Sequence, residues 1–376
     1  MIDLQSLLDQ AVVDGCAPGF SAAVITRDGQ RSSACAGVRG ADNAVPMTTD
    51  TMFAIFSCTK ALTSVAALQL VERGLLDLDA PVGERLPVLA APVVLTGFDA
   101  AGAPITRPAS APVTLRRLLT HTSGLAYDFC SESLARYLAA TGGALMGADN
   151  PDLPLMFEPG EAWLYGIGID WTGRLIEAVT GQGLDAYFAE NILGPLGMAD
   201  TTFFPDAGQA ARKASVHQRL PDGSLISIPF GMPSRPHFMM GGGGLYSTAE
   251  DYLKFLAAIL DGGAPLLKPE TFAMMMHNQV GDFAAGGLKT AQPMLSNDFE
   301  PLPGVTKRWG LAGLINTDPV PGCRSTGSLA WAGLANCYYW ADPAAGAAGV
   351  VLSQVLPFGD PAVVATFEAV ERAVYA

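Results

Sequence analysis

Ser57 and Lys60, in the stretch F-S-C-T-K-A-L at 56–62, are the residues whose types and spacing most directly suggest chemistry. Lys60 is the only charged side chain between Asp50 and Glu72, within a run of Phe, Ala, Ile, Cys, Thr, Leu and Val. On a helix, positions i and i+3 share a face, so the serine hydroxyl and the lysine amine can meet. A helix starting at Ser57 would set that hydroxyl at the positive end of the dipole, near free N–H groups able to stabilise an oxyanion. Apolar surroundings disfavour the charged amine, lower its pKa and let it take the serine proton. The chemistry implied is nucleophilic catalysis through an acyl-serine. The S-x-x-K spacing alone is not specific, and a lone core lysine also has the option of snorkelling to solvent.

Other chemistries have weaker signals. The G-x-S-x-G elbow of α/β-hydrolases is absent from the chain. A Ser-His-Asp triad stays open on sequence, since its members need not be neighbours. No histidine stands out as its base, and His121 in L-T-H-T-S-G-L reads as a loop-holding residue. His121, His217, His237 and His277 are scattered, and the six cysteines form no C-x-x-C pair, so neither a metal nor an organic cofactor is expected. In a reducing compartment those cysteines should be free thiols.

The chain of 376 residues carries 22 basic and 36 acidic side chains, a net charge of −14. Such a surface repels phosphate backbones, so no nucleic-acid partner is expected. Polybasic runs and membrane-length apolar stretches are missing, so no membrane partner is expected either. The N-terminus lacks a signal-like basic and apolar pattern, and its spacing of Ile2, Leu4, Leu7, Leu8, Ala11 and Val12 predicts an amphipathic helix. A cytoplasmic location is the expectation. The sequence is compatible with a homo-oligomer but carries no reading of one.

To position Ser57 and Lys60, the chain offers strands at both ends and helices between. Runs at 20–26 and 32–38, split by the turn R-D-G-Q, predict two strands. Residues 57–73 predict a helix buried on most sides, closed by Gly74. Helical patterns follow at 114–119, 169–180 and 248–260, the last with a capping-box signature in S-T-A-E-D. Strand signals return in W-G-L-A-G-L-I, L-A-N-C-Y-Y-W and A-A-G-V-V-L-S, before a helix at 361–375. The expectation is an α+β protein. Its mostly antiparallel sheet, flanked by helices, comes from 1–78 and 305–376, and 79–304 forms a mainly helical domain with the active site in the cleft between them.

The landmarks S-C-T-K, L-L-T-H-T-S-G-L, E-P-G-E-A-W-L-Y-G, L-G-P-L-G-M, G-G-G-G-L-Y-S-T-A-E-D and W-A-G occur in that order along the chain. Their succession resembles the serine β-lactamase and penicillin-binding-protein superfamily, specifically its class C-like branch with the family VIII carboxylesterases. The resemblance implies the β-lactamase/transpeptidase-like fold, Ser57 as acylated nucleophile and Lys60 as general base. It also implies that Tyr165 takes the place of the Y-x-N tyrosine and shares protons with the lysine and leaving group. W-A-G stands where the lactamases carry K-T-G. That implies an oxyanion hole from the backbone N–H groups of Ser57 and Leu334, with Tyr127, Trp331 and Gly333 on the substrate.

Two departures bear on substrate. Residues 165–167 read Y-G-I, without the Asn that helps hold a lactam amide, and Trp331 replaces the Lys that helps bind a carboxylate. Both favour a neutral acyl or alkoxy group. The sequence therefore predicts hydrolysis of small neutral carboxylic esters through an acyl-enzyme. Acyl transfer to another acceptor and amide or β-lactam hydrolysis are the alternatives. A catalytically silent binding protein is the reading from another class, and the retention of Ser57, Lys60 and Tyr165 argues against it.

Overall fold

In the computed structural model, residues 2–143, 145, 153–231 and 238–376 are described. His237 lies outside them. The first helix, α1 (Leu4–Val13), buries Leu4, Leu8 and Ala11, and the Asp3 side chain accepts from the Ser6 N–H at its start. Strands β1 (Gly19–Ile25) and β2 (Arg31–Gly37) pair as an antiparallel hairpin. Five more strands come from the other end of the chain: β3 (Lys307–Trp309), β4 (Leu314–Asn316), β5 (Leu329–Gly333), β6 (Cys337–Asp342) and β7 (Ala347–Leu352). Together they form one seven-stranded antiparallel sheet in the order β2-β1-β7-β6-β5-β4-β3. Every residue of β1, β5, β6 and β7 is buried, which is why those segments read as unbroken apolar runs.

The helix α2 (Thr59–Glu72) carries Lys60 and is buried continuously from Thr59 to Leu70. It packs against α3 (Gly168–Thr180). A further helix, α4 (Ala249–Leu260), covers one face of the sheet over β1, β6 and β7. Helix α5 (Pro361–Tyr375) packs on β7 and, with Asp360 capping its first N–H groups, lies beside α1.

Several elements differ from the sequence expectation. The α-helix begins at Thr59, and Ser57 sits one turn earlier in a tight 3₁₀ turn, Phe56–Cys58. W-G-L-A-G-L-I is two strands, because the chain reverses between Gly310 and Gly313, whose N–H and C=O bond at 2.9 Å. In L-A-N-C-Y-Y-W, residues 334–336 form the turn between β5 and β6, with Asn336 at φ 59°. Thr248 caps α4 through the Asp251 N–H, while Ser247 belongs to a two-residue strand paired with Phe53–Ala54. The middle of the chain also holds strands that the helical reading missed. Val93–Phe98 pairs with Pro104–Pro108, and Val216–Arg219 pairs with both Leu225–Ile228 and Val355–Leu356.

Candidate active site

The turn bearing Ser57 is held in a costly backbone conformation. Phe56, immediately before it, has φ 42°, a region that side chains other than glycine rarely occupy. One helical turn on, the Lys60 ammonium donates to the Ser57 Oγ at 3.0 Å, to the Tyr127 hydroxyl at 3.1 Å and to the Gly242 carbonyl at 2.6 Å. Those three acceptors match the three N–H bonds an ammonium has to give. The side chain is 1% exposed. Burial lowers its pKa from 10.5 to about 8, against the opposing pull of the Asp170 charge.

Asp170 was not singled out in the sequence. It lies in the first turn of α3, is buried, and accepts from the Tyr127 hydroxyl at 3.0 Å and from the Gly242 N–H at 2.9 Å. Gly242 thus donates to Asp170 and accepts from Lys60, closing a ring of four residues. A Cβ at position 242 would lie 2.4 Å from the Asp170 Oδ2, so the ring requires glycine there. Neighbouring Gly241 is similarly tight against the Ile169 carbonyl, and its own carbonyl accepts from Thr63 on α2 at 2.6 Å. The G-G-G-G run therefore lets backbone thread between α2 and α3. Its only sequence signal was the glycine run itself.

The two tyrosines are placed differently. Tyr127, expected on the substrate, is the hydroxyl bonded to Lys60. Tyr165, expected on Lys60, turns its ring to the amine, with Nζ 4.9 Å from the ring centroid. Its hydroxyl accepts from the Trp331 indole N–H at 3.1 Å. Burial raises the Tyr165 pKa, only partly offset by hydrogen bonds to Ser57 and Trp331. Burial, then the Asp170 charge, raises that of Tyr127 far above the usual phenol value. Both phenols are accordingly protonated at neutral pH, which leaves Lys60 as the group poised to exchange a proton.

His121 sits behind this cluster. Its Nδ1 accepts from the Gly166 N–H at 3.2 Å, and its ring lies 4.7 Å from Tyr165 and 4.9 Å from Trp309. Burial and the Lys60 charge push its pKa well below the usual range, so the ring is neutral and props the Tyr165 loop. The W-A-G segment ends β5 beside the Ser57 turn. At Gly333 a Cβ would lie 2.3 Å from the Ile55 carbonyl, so only glycine allows that approach. Ser57, Tyr165, Trp331, Gly333 and Leu334 then line one narrow pocket of about 20 Å³, closed by Phe129 and Phe358.

Comparison with known proteins follows the same lines. The family profile described as "Beta-lactamase" matches residues 4–373. The chain is 37% identical over 350 residues to monacolin J acid methylbutanoyltransferase of Aspergillus terreus, covering 88% of this chain and 83% of that protein. It is 34% identical over 331 residues to the lovastatin esterase of Penicillium rubens, covering 83% and 82%. The structure of unliganded simvastatin synthase from Aspergillus terreus, as its selenomethionyl derivative, superposes with a TM-score of 0.87 at 31% identity, over 99% of this chain and 97% of that one.

Proposed function

Since the chain belongs to the Beta-lactamase family, we propose that it is a serine acyltransferase and esterase that carries its acyl group on Ser57. Lys60 takes the Ser57 proton as Oγ attacks the carbonyl of an acyl donor. The Ser57 and Leu334 N–H groups receive the oxyanion. Tyr165, protonated and hydrogen-bonded to Ser57, gives its proton to the departing oxygen and takes one back from the acceptor, while Lys60 holds the Ser57 proton until Oγ leaves the acyl group. An acceptor hydroxyl then attacks the acyl-serine by the reverse route and leaves as the new ester. Water in the acceptor's place gives hydrolysis.

The observation that carries this reading is the buried Lys60, with a pKa of about 8, hydrogen-bonded to the Ser57 Oγ at 3.0 Å. An amine mostly ionised but near its pKa can accept and return a proton at neutral pH. The preference for transfer over hydrolysis rests on relatives whose names describe acyl transfer, alongside one named as an esterase. That order reverses the sequence expectation, which put hydrolysis first. Trp331 and Ile167 at the lactam-recognising positions support an uncharged acyl group over a β-lactam.

The test is p-nitrophenyl butyrate turnover by wild type, Ser57→Ala and Lys60→Ala, followed by product partition with a hydrophobic alcohol added. Nitrophenol release with ester formation from the alcohol is the expected result. Activity surviving Ser57→Ala sinks the mechanism, and release without any new ester returns the reading to simple hydrolysis.

A further inference from the structure

The catalytic pocket has walls too close for more than a small acyl group, yet a larger cavity lies directly beside it. That cavity, about 260 Å³, runs between β5, the loop at 298–303 and helix α5. Its surface is mainly apolar, with Phe299, Leu302, Ala330, Tyr338, Val364 and Phe367 among its walls. Arg324 and Glu371 close its inner end, but each satisfies the other through paired hydrogen bonds, one of them at 3.0 Å. The floor therefore offers no free charge to an anionic ligand.

The two cavities share Trp331 and Ala332. The sheet explains how. Strand β4 pairs with β5 only at Ala330 and Leu329, so the edge of β5 from Trp331 to Gly333 has no partner on that side among the described residues. Beyond the gap, the chain is held at Leu288 and Phe299 by their mutual backbone bonds, and Phe299 packs edge-on to Phe358 at 4.8 Å. Leu288 and Phe358 line the catalytic pocket, and Phe299 lines the larger cavity. The two cavities thus meet at the unpaired Trp331–Ala332 edge, one on the Ser57 side and the other on the α5 side. Successive strand residues point to opposite faces, which places Trp331 on one side and Ala332 on the other.

We infer that this cavity is the acyl-chain subsite: the carbonyl of the donor sits at Ser57 and its aliphatic tail passes the Trp331–Ala332 edge into the space under α5. The ligand class is a medium-length, uncharged aliphatic acyl group. This inference rests on the reading of Ser57 as the acylated residue. An apolar tail gains by leaving water for these walls, and the buried ion pair at the end sets how far it can reach.

Val364 lies on the α5 wall, away from Ser57, and is the place to test it. In Val364→Trp, kcat/KM for p-nitrophenyl octanoate should fall at least tenfold while that for the acetate ester stays within twofold. Val364→Ala should move the preferred ester from octanoate toward decanoate, a gain that a folding defect cannot imitate. Equal effects of both variants on acetate and octanoate overturn the inference. So does unchanged chain-length selectivity with weakened transfer to a bulky alcohol, which would make the cavity an acceptor site. Binding of p-nitrophenyl octanoate to Ser57→Ala, measured by calorimetry, separates the two layers. Tight binding that Val364→Trp abolishes supports the subsite even if wild type turns over no ester. Binding indifferent to Val364→Trp removes the subsite and leaves the role of Ser57 to the assay above.

Discussion

Lys60 and Arg324 are buried to nearly the same depth, 1% and 3% exposed, and each has one carboxylate close by. The arrangements differ in the cation itself and in how it meets its carboxylate. Arg324 and Glu371 touch directly, fork to fork, across the inner end of the acyl cavity. Lys60 and Asp170 do not touch; the Tyr127 hydroxyl and the Gly242 backbone stand between them. In the first pair, burial opposes the charge on Arg324, and Glu371 outweighs it, so the guanidinium pKa is raised. In the second, burial prevails over the distant Asp170 and the lysine pKa falls to about 8. A guanidinium in direct contact with a carboxylate stays charged, whereas a buried lysine held one hydroxyl away from its carboxylate remains exchangeable.

The sharpest way to break that contrast is to remove each cation's function in turn. Ser57→Ala and Lys60→Ala should each lower kcat on the order of 10⁴-fold or more, and the double variant should be no worse than either, because the two act as one unit. Additive losses in a p-nitrophenyl ester assay would separate lysine from serine. Glu371→Ala should leave activity per folded molecule at short esters unchanged but destabilise the protein by about 3–5 kcal/mol, since Arg324 is then buried without its partner. Urea unfolding measures it. Lys60→Met should do the opposite, losing activity with stability unchanged or raised. A fall in pKa from 10.5 to about 8 means the folded state disfavours the ammonium by roughly 3 kcal/mol. The sign follows from the depressed value: the penalty is full below pH 8 and disappears as pH rises through 10.5. Any stability gain of Lys60→Met should therefore be greatest at neutral pH and vanish in strong base. Asp170 keeps two donors, the Tyr127 hydroxyl and the Gly242 N–H, so it is not stranded by the change.

Sequence and structure divide along the same line. Ser57 and Lys60 were legible because their relation is local: three residues on one helical turn, with an apolar run that announces burial. The sheet drawn from both chain ends was legible because β1, β6 and β7 are apolar on both faces. Asp170 was not, since an acidic residue in the first turn of a helix is an ordinary feature that favours the dipole. What sets it apart is the Tyr127 hydroxyl, 43 positions away. The Gly242 carbonyl could not be read at all, because a backbone acceptor has no residue type to mark it. The two-residue strands and the Gly310–Gly313 reversal fail for a related reason: too few residues show a period. Tyr127 and Tyr165 were both visible as site residues, but which of them faces the amine depends on ring placement across three elements.

Asp170 offers a finer test of the exchangeable cation. With neutral Lys60 as the base, kcat/KM should rise with pH along a limb centred near 8, where the lysine loses its proton. The Asp170 charge favours the protonated lysine and so holds that limb up. Asp170→Asn should move it to lower pH, by roughly 1–3 pH units. A limb that stays in place, or moves upward, would mean that another group titrates.

The smallest effect belongs to Trp331, and it separates proton direction from binding. Its indole N–H donates to the Tyr165 oxygen, so the phenol proton is free to point elsewhere, toward Ser57. Trp331→Phe keeps an aromatic ring against Tyr165 but removes that donor. A neutral hydrogen bond of this kind contributes about 0.5–1.5 kcal/mol, equivalent to a loss of roughly two- to tenfold. If the bond steers proton delivery, the loss should appear in kcat with KM nearly constant. It should also shrink for donors with good leaving groups such as nitrophenolate, which need no proton. A loss confined to KM would leave Trp331 as a wall of the acyl path with no part in proton delivery, and the contrast between fixed and exchangeable charge would then rest on Lys60, Tyr127 and Asp170 alone.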